Sequence, residues 1–291
     1  MNARLLFLHA LSPIHCGTGR AAGGIDLPIA REKPTNIPLV PGSSLKGTLR
    51  ARGAAGDAMQ TTVFGPETEH AADHAGSVQF SDANLVFLPV RSVCGTFAWA
   101  TSPYLLRRLL RDAKEAGVTA LANATLPPAK LETTAYVTGN TLKVGSKVVL
   151  EDFDFTAEDS PLLKTLATNV AARLFAETDR AFFIDRVCLV HDDVMSVLLR
   201  TCMEITARIR LDPDTKTVAR GALWTEEALP IESILAGLVL ATPVAPARNA
   251  PAPNAEALLT YVEKLATGTS ALQIGGKASV GRGLCRVSVR G

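Results

Sequence analysis

The chain has 291 residues, 47% of them hydrophobic, and 30 Lys and Arg against 28 Asp and Glu give a net charge of +2. That composition excludes a disordered scaffold and allows one large domain or two small ones. The five cysteines are scattered and form no C-x-x-C pair, which argues against a disulfide framework or zinc ribbon and predicts reduced thiols, mostly in the core.

No apolar run approaches the roughly 18 residues of a membrane span, and the apolar stretch before Ser12-Pro13 is too short for a signal segment. The expectation is a soluble, cytoplasmic protein without membrane contact. Charge is uneven along the chain. Residues 1–52 carry +5 and residues 268–291 carry +4, which leaves −7 for the segment between. If the fold brings the two basic ends together, they form a cationic face suited to a phosphate backbone, with opposite charge elsewhere for contacts between copies.

Residues 2–9 predict an opening strand, followed by a long glycine- and proline-rich loop to Pro41; loops of that length are usually functional. Pro41-Gly42-Ser43-Ser44 supplies a helix N-cap signal. Leu45, Leu49 and Ala51 then begin a helix whose exposed side carries Lys46, Arg50 and Arg52. Residues 77–90 alternate as strand material. A helix over 103–115, started by Ser102-Pro103, has Tyr104, Leu105, Leu106, Leu109 and Leu110 as its buried stripe. Residues 131–155 read as strands, and 160–178 and 191–201 as helices. Two strands around Asp212-Pro213-Asp214-Thr215 read as a hairpin. A proline-rich surface linker spans 243–253, a helix follows near 254–266, and two short strands close the chain around a glycine-rich loop, residues 275–283. Strands and helices mix without strict alternation, which predicts an α+β fold.

Several motifs fail. Ser43-Ser44-Leu45-Lys46 fits S-x-x-K, but no S-D-N or K-T-G partner exists. Gly275-Gly276-Lys277-Ala278 lacks the earlier glycine and the hydroxyl residue of a phosphate-binding Walker loop. His70 and His74 have helical metal-ligand spacing, yet lie in a glycine-flanked polar segment that reads as a solvated loop. The run Gly275 to Gly283 remains: its glycines let a backbone approach phosphates closely while Lys277 and Arg282 supply charge, although a plain hairpin turn fits it equally. Asp26, between Ile25 and Leu27, reads as a turn residue, a metal ligand or a catalytic group.

His15-Cys-Gly-Thr-Gly, Ile25-Asp-Leu-Pro-Ile, the stretch Ile37 to Arg50 and the terminal glycine-rich loop together resemble the RAMP superfamily of CRISPR proteins. Within it, Phe80-Ser-Asp-Ala, Pro89-Val-Arg-Ser, Gly95 to Pro103 and Gly221 to Pro230 are similar to the backbone subunits of type III-B (Cmr) effector complexes. The similarity runs in order over nearly the whole chain. It implies a single RAMP domain over 1–291: a modified ferredoxin-like (RRM-like) palm with insertions, one of them a β-hairpin thumb at about 204–230. It further implies copies stacked in a helical filament on a crRNA, other Cmr subunits as partners, and a catalytic aspartate in the loop after the first strand, where Asp26 stands. The segments 65–76 and 243–253 have no counterpart in the resemblance.

RNA carries its own nucleophile, so an endonuclease need only align the 2′-hydroxyl with the adjacent phosphorus, remove a proton and stabilise charge. On that basis Asp26 takes the proton or holds a hydrated Mg²⁺ or Mn²⁺, with no organic cofactor expected. His15 is an auxiliary acid or base, or a structural histidine. Glu226 and Glu227 are contributors to a neighbouring subunit's cleavage site, or a solvated edge. Lys46, Arg50, Lys277 and Arg282, with Ser43 and Gly276, are assigned to the guide backbone, and single-stranded target RNA is the expected substrate. The competing readings are a purely structural filament subunit and a guide-processing endoribonuclease.

Overall fold

A computed structural model describes residues 2–19, 24–54, 57–67, 69, 74–128, 131–244, 252–267 and 271–290. Its centre is built from β1 (Asn2–Ala10), α1 (Gly42–Arg52), β4 (Ala83–Arg91), β13 (Ile234–Ala241), α8 (Ala255–Ala266) and β15 (Leu284–Arg290). These strands lie in the order β15-β1-β13-β4, every neighbour antiparallel. This βαββαβ connection is the expected ferredoxin-like palm. Strand β1 reads as a continuous apolar run because both its faces are covered. Leu6 and Leu8 pack in the cluster that holds Leu45 and Leu49 of α1 and Leu258, Leu259 and Val262 of α8. Leu5 and Phe7 pack on the other side with Trp99, Leu106, Leu109, Leu163 and Leu166.

Between β1 and α1 lies the two-residue strand β2 (Leu39–Val40). Helix α2 (Ala58–Phe64) and strand β3 (Val78–Phe80) precede β4. The strand expected over 77–90 is therefore two strands. The break has a physical cause: the Ser81 hydroxyl accepts from the Leu238 N–H at 2.8 Å, and Asp82 accepts from the Gly42 N–H at 2.8 Å. The second bond also corrects the expected N-cap. Residue Pro41 caps α1 without a side-chain bond, and the cap carboxylate comes from Asp82. Gly42 is required there, since a Cβ would lie 2.2 Å from the Phe80 carbonyl oxygen.

Everything from β5 to β12 is inserted between two palm strands. Strands β5 (Phe97–Thr101), β6 (Thr134–Val137), β7 (Lys143–Val144), β8 (Lys147–Leu150), β9 (Phe153–Asp159) and β10 (Val187–Leu189) extend the sheet beyond β4 in the order β5-β10-β6-β9-β8-β7. Helices α3 (Pro103–Glu115), α4 (Thr119–Ala122), α5 (Pro161–Leu174) and α6 (Glu177–Ile184) bury the face that Phe7 and Trp99 share. The bounds of α3 match expectation, with Ser102 accepting from the Leu105 N–H. Its buried stripe is Leu105, Leu106, Leu109 and Ala113; Tyr104 stays exposed in the first turn and Leu110 is half-buried. The helix expected over 160–178 stops at Leu174. Phe175 turns extended and stacks on Phe183, with ring centroids 5.0 Å apart, inside an aromatic cluster with Trp99, and a continuous helix would not place it there.

Helix α7 (Asp192–Thr201) leads into the hairpin β11 (Glu204–Leu211) and β12 (Val218–Ala228), a separate two-stranded sheet. Its turn is tied by Asp212, which accepts from the Asp214 and Thr215 N–H groups. Cross-strand pairs put Ile209 and Leu223 on one face and Arg208 and Trp224 on the other, so the outer part of the hairpin is apolar on one side and basic on the other, while Glu204 and Glu226 share the second side at its base. The short strand β14 (Leu272–Gln273) pairs with β15. The linker core at 245–251 and His70 lie outside the described residues, and all five cysteines are free thiols, three of them buried.

Candidate functional site

The long loop after β1 is a strap held by backbone ladders. Ile14 pairs with Leu229, Gly17 with Ile29, and Leu27 runs parallel to Glu226 of β12. The Leu27 N–H donates to the Thr225 carbonyl and the Glu227 N–H to the Leu27 carbonyl, each at 3.0 Å. The strap thus lies along the base of the hairpin, almost 200 residues later in the chain.

Asp26 sits at the exposed start of this ladder. One carboxylate oxygen, Oδ2, accepts from the Thr225 N–H at 2.8 Å and from its hydroxyl at 3.0 Å, while the Asp26 N–H donates to the same hydroxyl at 3.1 Å. The Thr225 backbone bond and then its hydroxyl bond hold the Asp26 carboxyl below the ordinary 3.8. The result is a fixed, ionised carboxylate in solvent. Thr225 lies directly before Glu226-Glu227, and nothing local in the sequence links it to Asp26.

Both glutamates are buried, at 5% and 4% exposure, which corrects the reading of a solvated edge. The Glu227 carboxylate takes the Ile29 N–H at 3.0 Å on Oε2 and an ion pair from Arg31 on Oε1. Arg31 also donates to the carbonyls of Asn36 and Leu199. Glu227 therefore holds the strap from beneath. Glu226 accepts from the Trp224 indole N–H and from Lys277, each at 2.9 Å, and faces Arg208 at 3.4 Å. Burial raises its carboxyl, but the bonds from Trp224 and Lys277 and the charges of Lys277 and Arg208 outweigh this and lower it from 4.5 to about 2. A folded-state value below the unfolded one means stabilisation that is complete above pH 4.5 and is lost as pH falls through about 2. The expected outcome is that the melting-temperature gap between wild type and Glu226→Gln narrows steadily over that window; a constant gap would remove Lys277–Glu226 as a charge-dependent clamp.

His15 is 7% exposed, and its Nδ1 lies 2.7 Å from the Glu227 carbonyl oxygen. A carbonyl only accepts, so Nδ1 carries a proton, and Nε2 is the acceptor nitrogen of the neutral ring. A Cβ on Gly17 would come within 2.8 Å of that Nε2, and one on Gly275, which has φ +85°, within 2.6 Å of the His15 carbonyl oxygen. These glycines let the strap and the terminal loop close around the imidazole. An open groove of about 570 Å³ results, lined by His15, Gly17, Leu27, Ser44, Thr48, Gly276 and Lys277 among others.

The structure brings together His15, Gly276 and Lys277 from the sequence-predicted set. It separates others. Helix α1 presents Ser44 and Thr48 to the groove, one turn apart, whereas Ser43, Lys46 and Arg50 are not in its lining. Arg50 donates to the Pro66 carbonyl and pairs with Glu67. Arg282, only 9% exposed, pairs with Glu204 and donates to the Thr206 hydroxyl. Both have partners within the fold, as Lys277 does in Glu226, and neither lines the groove. Ser44 and Thr48 were legible as the i, i+4 companions of the cap motif, and Thr225 was not.

The donor set at Asp26 does not by itself fit a divalent cation. Among the described residues the one group of three ligand-type side chains close enough to share an ion is Glu132, His191 and Asp193, and there His191 serves as the N-cap of α7. Asp26 offers the carboxylate alone.

A ferredoxin-like palm, an amphipathic hairpin thumb, and a groove lined by the strap, α1 and the glycine-rich loop define a palm-and-thumb protein. The chain belongs to the RAMP superfamily, whose family model matches residues 7–286. It is 35% identical over 296 residues to the CRISPR system Cmr endoribonuclease Cmr4 of Pyrococcus furiosus, covering 100% of this chain and 96% of that protein. The oligomeric Cmr4 of Pyrococcus furiosus superposes with a TM-score of 0.76 at 28% identity, over 100% of this chain and 98% of that one. A chain of the type III-B Cmr-beta complex bound to cognate target RNA shares the fold, with a TM-score of 0.75 at 19% identity over 99% and 97% of the two chains.

Proposed function

We propose that this chain is the guide-binding backbone subunit of a type III-B CRISPR effector, that copies of it stack along a crRNA with other Cmr subunits, and that each copy cleaves the paired target RNA. The observation that carries the reading is the Asp26 strap: an exposed, ionised carboxylate fixed to the thumb base beside a groove lined by His15, Gly276 and Lys277. The name of the 35% identical relative, an endoribonuclease, supports the chemistry.

The groove's glycines admit a strand's backbone closely, and Lys277, although paired with Glu226, keeps further ammonium N–H donors at its wall. The basic face of the hairpin fits RNA and its apolar face, with Ile209 and Leu223, fits a neighbouring copy. At the cleavage step the target's 2′-hydroxyl gives up its proton to solvent water as its oxygen attacks the adjacent phosphorus, the P–O5′ bond breaks, and the departing 5′-oxygen takes a proton from water, which gives a cyclic phosphate and a 5′-hydroxyl. Asp26 fixes negative charge beside the attacking hydroxyl and orients it by accepting its hydrogen bond. Its lowered pKa makes it a weak proton acceptor, so orientation is its larger contribution. His15 Nε2 is an acceptor at the groove wall. Among the described residues Asp26 alone would offer the expected Mg²⁺ or Mn²⁺ a ligand at this site, and its further ligands would be water and RNA phosphate.

The test is incubation of the complex, assembled on a guide, with labelled complementary RNA, with and without EDTA. The expected result is endonucleolytic cleavage that requires the guide. No cleavage under any metal condition would leave a structural filament subunit, and cleavage of repeat RNA by the chain alone would favour guide processing. Full activity in EDTA would remove the cation.

A further inference from the structure

A second cationic cleft lies at β15, lined by the C-terminal ends of α5 and α8. Along that strand Cys285, Val287 and Val289 turn into the α8 cluster, and Arg286, Ser288 and Arg290 alternate to the opposite side. With Arg173 from α5 they line a cleft of about 280 Å³ that has three guanidiniums and no acidic side chain among its described lining residues. The basic C-terminal segment thus divides. Lys277 and Arg282 are bound to the hairpin by Glu226 and Glu204, and Arg286 and Arg290 are left for this cleft.

Two polar atoms here are buried without a hydrogen-bond partner among the described residues, Arg173 Nε and Ser288 Oγ; the Arg173 Nη1 donates to the Asn169 carbonyl, and Ser288 is 8% exposed. Burial and then the like charge of Arg290 hold Arg173 below its usual range. Like charges and orphaned donors gathered in one cleft are costly unless an anion joins them. A planar carboxylate is satisfied by one guanidinium fork. A tetrahedral oxyanion offers oxygens toward α5 and β15 at once, with one left for a hydroxyl donor.

We propose that Arg173, Arg286, Ser288 and Arg290 form a phosphate-binding site separate from the guide groove. The phosphate comes either from an RNA strand or from a free small phosphate. Two variants test it: Arg286→Gln with Arg290→Gln, both at exposed positions of β15, and Ser288→Ala, which removes only the orphaned hydroxyl. Two probes are used on the full chain. Inorganic phosphate is compared with chloride at matched ionic strength by thermal shift, and a single-stranded RNA oligomer is titrated by anisotropy over a range of salt. The expected result is that phosphate raises the wild-type melting temperature, that the double variant loses this shift, and that Ser288→Ala reduces it. If the double variant also binds RNA about tenfold more weakly with a salt slope lower by about 1, the occupant is an RNA phosphate. If its RNA binding is unchanged, the occupant is a free phosphate. Equal shifts in wild type and variants, or no shift in wild type with RNA binding unchanged in the variants, would overturn the site. Guide-dependent cleavage is read separately, so failure of one proposal is not failure of the other.

Discussion

Asp26→Asn is expected to reduce guide-directed target cleavage by at least about 10²-fold while leaving assembly intact. The hydrogen-bond geometry explains the separation. Oδ2 carries both bonds from Thr225, and an asparagine carbonyl can accept the same N–H and hydroxyl, so the strap stays anchored to the thumb base. What changes is the outer oxygen, replaced by an amide NH₂ that donates instead of accepting and carries no charge. A turn residue would tolerate this exchange at little cost. Cleavage of labelled complementary RNA, with assembly followed by size-exclusion chromatography, checks it. Full cleavage by the variant would return the chain to the structural class.

Single elements were legible because their signals are local, whereas their assembly into a palm and a thumb was legible only through the family resemblance. Leu5 to Leu8 is a strand buried on both faces, Ser102-Pro103 starts a helix, and Asp212 to Thr215 is a turn whose carboxylate closes on its own backbone. Asp26 was legible through a family motif, not through its surroundings. What holds it was not. Thr225 reaches it, and Glu227 reaches the strap at Ile29 and Arg31, across almost 200 residues, and a pair of adjacent acids carries no local sign of burial. The same gap explains Arg282. In a segment with no acidic residue it reads as a free cation, and its counter-ion, Glu204, comes from the start of the hairpin. Charge counted along the sequence therefore overstated the groove's cations, because the inserted acidic segment neutralises part of the basic ends inside the fold.

At Glu227 that neutralisation also holds the strap, which gives the second large effect. Glu227→Ala removes the acceptor of the Ile29 N–H and the counter-ion of Arg31, leaving a buried donor and a largely buried guanidinium exposed to their full desolvation cost. Breaking a buried pair in this way costs about 3–5 kcal/mol. Arg31 keeps the carbonyls of Asn36 and Leu199, so the low end applies, and a loss of about 3 kcal/mol lowers the melting temperature by roughly 6 °C. Cleavage should fall with it, because the strap that carries Asp26 loses its support from β12. Glu227→Gln separates position from chemistry: its amide oxygen can still accept the Ile29 N–H, so it should retain more stability and more cleavage than the alanine variant. The check is thermal unfolding and target cleavage of both variants side by side. Glutamine and alanine variants that fold as stably as wild type yet both fail to cleave would make Glu227 a catalytic residue, not the group that positions Asp26.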